Sequence, residues 1–299
     1  EVCNHSGCDN PWVKERPDFY ARNEKGEMFG PFDWTDTYKF DYSNRAMRDA
    51  MIDALKFWIT EADIDGYRCD VAMEVPTDFW EEARTELQKL KPIFMLAEAS
   101  KPELCRAAFD ADYAWLMKDV FNAIAATQGV NAYAREHNQK LPKCDARAID
   151  SLLAEQARSY PQDSYRMNMV TNHDLNSWEG TEFERYGRGM GAFAILSYTL
   201  PGMPMMYTGQ EVGFNHPFEF FETDPVTPDY TANEFTAFYS MLNALKHKHP
   251  CLRAGKRGGE MRRHLTKSNN IYAFSRTLPD DEITVIINLS DKKQPLRWK

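Results

Sequence analysis

The sequence predicts an α/β fold built of successive parallel β/α units and followed by an antiparallel β segment. Three observations carry that expectation. Short apolar runs alternate with longer stretches of helical period along most of the 299 residues, the pattern of parallel β/α units. Three of the apolar runs end in a carboxylate: Asp70 after Gly66-Tyr67-Arg68-Cys69, Glu98 after Phe94-Met95-Leu96-Ala97, and Asp174 after Val170-Thr171-Asn172-His173. From about Leu252 the texture changes to two strand-like runs divided by Pro279-Asp280-Asp281, a separate β region.

Taken in order, Val2 to Asn4 is a strand stub. Residues 6–43 are polar, rich in Gly, Pro and aromatics, and lack a clear period, so they form an excursion between a strand and a helix. Residues 44–59 have apolar side chains at Met47, Met51, Leu55 and Trp58, a helical spacing, with Ser43 or Asn44 as the cap. Strand-like runs recur near Asp65, Ile93, Asp112, Arg166 and Met203. Helices are expected at 77–90, about 146–159, 185–199 and 233–247. The segments 270–276 and 282–289 are strands of the final β region. No internal repeat or low-complexity tract interrupts this order.

The chemistry concentrates at the strand ends. On a strand, side chains repeat with period two, so Arg68 and Asp70 share a face. A guanidinium held there keeps Asp70 ionised, as a carboxylate nucleophile requires. Cys69, between them, points to the other face and belongs to the core. One acid closing one strand would be an ordinary solvated end; three in sequence describe a single acidic site.

Composition narrows the function further. A net charge of −9 argues against nucleic acid and anionic membranes, which attract basic surfaces, and suits a neutral substrate. Aromatic residues make up 13% of the chain, compatible with sugar stacking as well as with packing. Six cysteines in so long a chain do not make a disulfide framework; Cys3 and Cys8 are close enough to pair across a loop or to remain thiols. No stretch is long and apolar enough to span a membrane. Gly187-Arg188-Gly189 lacks the context of a phosphate-binding turn, and no Cys/His set has zinc spacing.

Gly66-Tyr67-Arg68-Cys69-Asp70, Leu96-Ala97-Glu98-Ala99 and Thr171-Asn172-His173-Asp174 resemble, in order, motifs of the α-amylase family of glycoside hydrolases. Val2-Cys3-Asn4-His5 is similar to the tail of an earlier motif, and Pro201 to Glu211 to the last barrel strand and its loop. The resemblance implies a (β/α)₈ TIM barrel whose N-terminal strands are missing from this chain, beginning at the end of the third strand, with the missing segment as a partner. It implies a catalytic barrel over residues 1–252, with an inserted loop domain at about 6–43, and the start of a C-terminal antiparallel β-domain over 253–299. Barrel active sites lie at the strand C-termini, where the three acids fall. By resemblance Asp70 is the nucleophile, Glu98 the general acid/base, and Asp174 the acid that holds sugar hydroxyls in the distorted transition state. Retaining glycosidases need one carboxyl ionised and one protonated. Arg68 serves the first, while the apolar Leu96 and Ala97 and the nearby acids suit Glu98 to the second.

His5 and His173 resemble the histidines that hydrogen-bond the sugar at the cleavage subsite. Asn4 matches a calcium ligand of many members, but the aligned partner is Lys39, where calcium-binding members carry aspartate; an ammonium there repels or replaces the ion. No cofactor is expected to be required, with Ca2+ at Asn4 as the alternative. Val71-Ala72-Met73-Glu74 is similar to the neopullulanase and cyclomaltodextrinase pattern and makes Glu74 a substrate-binding candidate. Trp34, Trp115, Trp178 and Phe214 are candidates for stacking on glucose. The expected activity is retaining hydrolysis of α-1,4 and also α-1,6 glucosidic bonds in starch, maltooligosaccharides or pullulan-like glucans. A transglycosylase or isomerase of the same family is the alternative, and a non-catalytic glucan-binding protein is disfavoured by the complete acid triad. A polymeric substrate favours an extracellular or periplasmic enzyme.

Overall fold

The structure is a computed structural model and describes residues 1–298. The chain forms two compact units, Glu1–Tyr113 and the residues from Ala114 onward.

In the first unit, β1 (His5–Gly7) leads through α1 (Pro11–Glu15) and an irregular excursion to β2 (Thr37–Lys39). The two strands pair antiparallel with His5 opposite Lys39, so the excursion read as unpatterned closes on itself. The next element, α2 (Arg45–Ala62), is capped by the Asn44 side chain, which accepts from the amides of Ala46 and Met47. Its inner face is Met47, Met51, Ile52, Leu55 and Ile59. Trp58, expected on that face, is exposed instead, because the stripe continues through Ile59. Then come β3 (Gly66–Cys69), α3 (Thr77–Gln88), β4 (Phe94–Ala97) and β5 (Ala111–Tyr113). These three strands are parallel, with Arg68 beside Leu96, Cys69 beside Ala97, and Ala97 beside Asp112.

The strand stub is placed differently from expectation. The Glu1 nitrogen donates to Arg68 O at 2.7 Å and the Asp70 amide donates to Glu1 O at 2.9 Å, a parallel ladder step beside β3. The stub is thus at Glu1 rather than Val2–Asn4. Gly66 lets β3 and β4 approach: a β-carbon there would lie 1.9 Å from the Phe94 carbonyl oxygen. On the helix side, Arg84 of α3 grips Asp110 at 2.8 Å, and Asp110 accepts from the Met95 amide at 2.8 Å. One carboxylate therefore ties helix to strand.

The second unit begins with α4 (Trp115–Thr127), α5 (Ala132–Glu136) and α6 (Arg147–Ser159), and continues with β6 (Tyr165–Asn168), α7 (His173–Trp178), α8 (Glu182–Tyr186), α9 (Met190–Thr199), β7 (Met203–Pro204) and α10 (Glu234–Lys248). Strands β6 and β7 pair parallel. The expected helix at 185–199 is divided, because Gly187 takes a positive φ of 49° and ends α8. Helix α4 was not anticipated. The polar Lys118 and Asn122 are buried beside Met117, Phe121 and Ile124, while the apolar Leu116 is exposed, so polarity does not mark its buried face.

The chain closes with β8 (Glu260–His264), β9 (Ile271–Leu278) and β10 (Asp281–Asn288), ordered β10-β9-β8 and antiparallel. Leu278 faces Asp281, so Pro279-Asp280 is a two-residue turn. The charged edge strand β8 escaped the pattern reading, as charged edges do. Phe121, Phe193, Leu196, Tyr239, Tyr272 and Val285 share one apolar core. The sheet is fastened there through Asp150 of α6, which accepts from Tyr272 Oη at 2.9 Å and from Arg263 Nε at 3.2 Å. The six cysteines are free thiols, Cys3 buried and Cys8 partly exposed. Among the described residues no helix is long and apolar enough to cross a membrane.

Candidate active site

The first unit carries Asp70 and Glu98 at the ends of β3 and β4. Burial alternates along β3, with Tyr67 and Cys69 inside and Arg68 partly open, so Arg68 and Asp70 share the accessible face as expected. Asp70 and Glu98 each lie one residue beyond their strand, and the Glu98 amide donates to Cys69 O at 3.0 Å. The register that pairs Cys69 with Ala97 thereby sets the two acids side by side. Their side chains are 24% and 13% exposed, open enough for a ligand and sheltered enough for a strong field.

One guanidinium serves both carboxylates. Arg68 Nη1 donates to Asp70 Oδ1 at 2.5 Å, and Nη2 lies 2.9 Å from Glu98 Oε2, an ionic contact outside hydrogen-bond alignment. The third nitrogen, Nε, donates to Tyr113 Oη at 3.0 Å. Burial disfavours the Arg68 cation, but Tyr113, Glu98 and Asp70 outweigh it and hold its pKa above the ordinary value. Tyr113 is a positioning residue that the sequence reading passed over. It ends the third parallel strand, so the strand-end rule used for the acids could have found it.

The surroundings of Glu98 differ from expectation. Its Oε2 accepts from the Val71 amide at 2.8 Å and lies 2.9 Å from Arg68 Nη2, so polar partners as well as the apolar Leu96 and Ala97 surround the carboxyl. Val71 has φ 41° and ψ 44°, a conformation costly for a β-branched residue. That twist delivers its N–H to Glu98. The turn is closed by the Ala72 amide on Glu98 O at 3.2 Å and the Glu74 amide on Val71 O at 2.9 Å. Trp80 Nε1 donates to Ala72 O at 2.9 Å and anchors it. Glu74 therefore stands on the turn that follows the expected nucleophile.

His5 enters from β1. Its Nδ1 bonds Asn4 Oδ1, and because an amide oxygen only accepts, Nδ1 carries the proton. Burial lowers the His5 pKa, with Asp70 and Asp36 pulling the other way, so the ring is neutral near pH 7 and Nε2 is an acceptor.

In the second unit, β6 runs into Asn172, whose side chain accepts from the Leu175 amide at 2.7 Å and caps α7. His173 and Asp174 open that helix, half-exposed and partly exposed, with His173 Nε2 at 3.4 Å from Asp174 Oδ2. Burial, and then the charge of Asp174, push the Tyr207 hydroxyl pKa up. The Asn176 amide pins the following loop, donating to His216 O at 3.0 Å and accepting from the Phe218 amide at 2.8 Å. Asp70, Glu98, Arg68, His5 and Glu74 thus belong to the first unit, and His173 and Asp174 to the second.

The family described as alpha amylase, catalytic domain, matches residues 10–250. The chain is similar to the α-amylase MalA of Haloarcula japonica, 26% identical over 97% of this chain and 42% of that protein. It is also similar to neopullulanase 2 of Thermoactinomyces vulgaris, 28% identical over 86% of this chain and 42% of that protein. Among solved structures, the noncanonic maltogenic α-amylase AmyB from Thermotoga neapolitana matches with a TM-score of 0.80 and 26% identity, over 96% of this chain and 63% of that one. The chain spans about half the length of the curated relatives it matches. Its parallel β/α units and antiparallel C-terminal sheet have the α-amylase-type (β/α)₈ architecture. With more than half of its length matched by that catalytic domain, the chain belongs to the α-amylase family.

Proposed function

We propose that the protein containing this chain hydrolyses α-glucosidic bonds with retention. The observation that carries the proposal is the shared guanidinium: Arg68 holds Asp70 and Glu98 together at the ends of adjacent parallel strands. Two carboxyls on one guanidinium are compatible with the ~5–5.5 Å separation of a retaining pair. Asp70, held by Arg68, attacks the anomeric carbon as the glycosidic bond breaks, and Glu98 protonates the departing oxygen. Glu98 then removes a proton from water, which releases the sugar from Asp70. Neutral His5 accepts a sugar hydroxyl through Nε2. His173 and Asp174 bind hydroxyls of the distorted ring, and Glu74 contacts the neighbouring sugar.

The names of relatives, among them neopullulanase and cyclomaltodextrinase, support α-1,4 and α-1,6 glucans such as starch, maltooligosaccharides and pullulan as substrates. A polymeric substrate supports export. We assign no calcium at Asn4: its Oδ1 is taken by His5, and Lys39 lies opposite His5 in the strand register, a donor set that does not fit a hard divalent cation.

The test is reducing-sugar release from starch and from pullulan by the full-length protein and by Asp70→Asn. Release that falls ~10³-fold or more in the variant is the expected result. Maltooligosaccharides redistributed without new reducing ends would replace hydrolysis by transglycosylation. A variant as active as the wild type would remove Asp70 from the mechanism.

A further inference from the structure

Asp174 stands on a helix too short to hold itself in place. Helix α7 has six residues, and an isolated helix of fewer than about a dozen is marginal in water. Its placement therefore comes from what grips it. At its start the Asn172 side chain accepts from the Leu175 amide. Its far end is gripped by α4. Lys118 Nζ donates to Glu179 Oε1 at 2.9 Å and to Oε2 at 3.3 Å, and the Asn122 amide donates to Oε2 at 3.1 Å. Tyr133 Oη donates to Trp178 O at 2.7 Å and Arg185 Nε to Gly180 O at 3.1 Å, so the residues on both sides of Glu179 are fixed as well.

Both ends of this span belong to one frame. The Ala114 amide, at the N-cap of α4, donates to Met167 O of β6 at 3.0 Å. The chain that leaves β6 passes through His173 and Asp174 and is tied back at Glu179 to a helix bonded to the same strand. Asp174 comes five residues before that tie, about 7.5 Å along a helix axis.

The ammonium is costly where it sits. Lys118 is 6% exposed, while the side chains of its carboxylate neighbours Glu179 and Asp119 are 33% and 60% exposed. A buried ion pair is a poor source of stability, and an apolar side chain of like volume often does as well or better. Methionine would satisfy the packing beside Met117 and Phe121. What the ammonium adds is a fixed point for the Glu179 carboxylate.

We propose that Lys118 is a positioning residue for glycoside hydrolysis, one that holds Asp174 in place through Glu179 at the end of α7. The inference rests on the hydrolase reading above, in which Asp174 binds hydroxyls of the distorted ring. That contact is made in the transition state, so a loosened α7 lowers kcat more than it raises KM.

The experiment measures kcat and KM on an activated aryl α-maltoside for the full-length wild type, Lys118→Met, Glu179→Gln, Asp174→Asn and the Lys118→Met/Asp174→Asn double variant, with a thermal melt of each. Lys118→Met should lower kcat about tenfold, the scale of a small misplacement, with KM and Tm nearly unchanged. In the Asp174→Asn background the same substitution should lower kcat less than about twofold, because the group it positions is already gone. Glu179→Gln breaks the pair from its partly exposed side and should lower kcat in the same way, so the test stands even if Lys118→Met fails to fold. Wild-type kcat in both single variants, with Asp174→Asn impaired, would overturn the positioning role and leave the hydrolase reading intact. An equal loss in both backgrounds, with a lower Tm, would make Lys118 a structural residue. An Asp174→Asn variant as active as the wild type would overturn the reading on which the inference rests.

Discussion

Arg68 concentrates the chemistry of the first unit in one side chain. Each guanidinium nitrogen has its own partner, Asp70, Glu98 or Tyr113, and a lysine ammonium reaches only one such arrangement at a time. Arg68→Lys keeps the charge and loses the geometry. It should lower kcat ~10²-fold, the scale on which small misplacements act, with little change in Tm; single-turnover kinetics beside a melt would check it. A kcat within about threefold of wild type would show that charge alone suffices. In the second unit, Glu182 is 3% exposed. Burial pushes its pKa from 4.5 up to about 7, with Arg185 and the Gln210 amide opposing. The folded state therefore holds this proton more tightly than the unfolded one. The group's contribution is fully present below about pH 4.5 and is lost as pH rises through 7. At 1.36 kcal/mol per pH unit the loss is about 3 kcal/mol. Glu182→Gln should abolish it, so urea melts at pH 5, 6, 7 and 8 should show the variant gaining on the wild type as pH rises. A stability difference constant with pH would refute the assignment.

Among the elements, the contact of β3 with β4 decides where both acids stand. Since a β-carbon at Gly66 would lie 1.9 Å from Phe94 O, Gly66→Ala must push the strands apart at the root of the Asp70–Glu98 register. Overpacking of this kind costs about 3 kcal/mol or more against backbone, and activity should fall further than stability. A variant with wild-type melting and kinetics would show that the strands can give. This contact also marks what was legible beforehand. The alternation of Arg68, Cys69 and Asp70 is local, so the shared face of arginine and nucleophile followed from period two. The Val71 donor and the Arg68 contact on Glu98 depend on which residue of β4 lies beside Cys69, a pairing set by contacts distant in sequence and so invisible in the local pattern. Most helices were legible through their stripes and caps. Helix α4 was not, since the polar Lys118 and Asn122 are buried while the apolar Leu116 is exposed, and β8 was not, since its charges mask the strand period.

At the scale of the whole chain, the antiparallel sheet is bound into the second unit rather than appended to it. Tyr272, Phe274, Val285, Ile287 and Leu289 lie in the same core as Phe121, Phe193, Leu196 and Tyr239. Arg276 of β9 donates to Thr199 O at 3.1 Å and to Gly259 O at 3.0 Å. A protein ended at Leu252 would forfeit those five apolar side chains, each worth about 1.5–3 kcal/mol when buried. Their sum, about 10 kcal/mol, is as large as the whole net stability of an ordinary domain, about 5–15 kcal/mol. It would also leave the Asp150 carboxylate without Arg263 and Tyr272. The truncated protein should therefore lose its near-ultraviolet circular dichroism and its cooperative urea transition, even though Asp70, Glu98 and Asp174 are all retained. A sharp transition at the wild-type midpoint would show that the helices of the second unit hold their core without the sheet, and that the antiparallel strands are a separable domain.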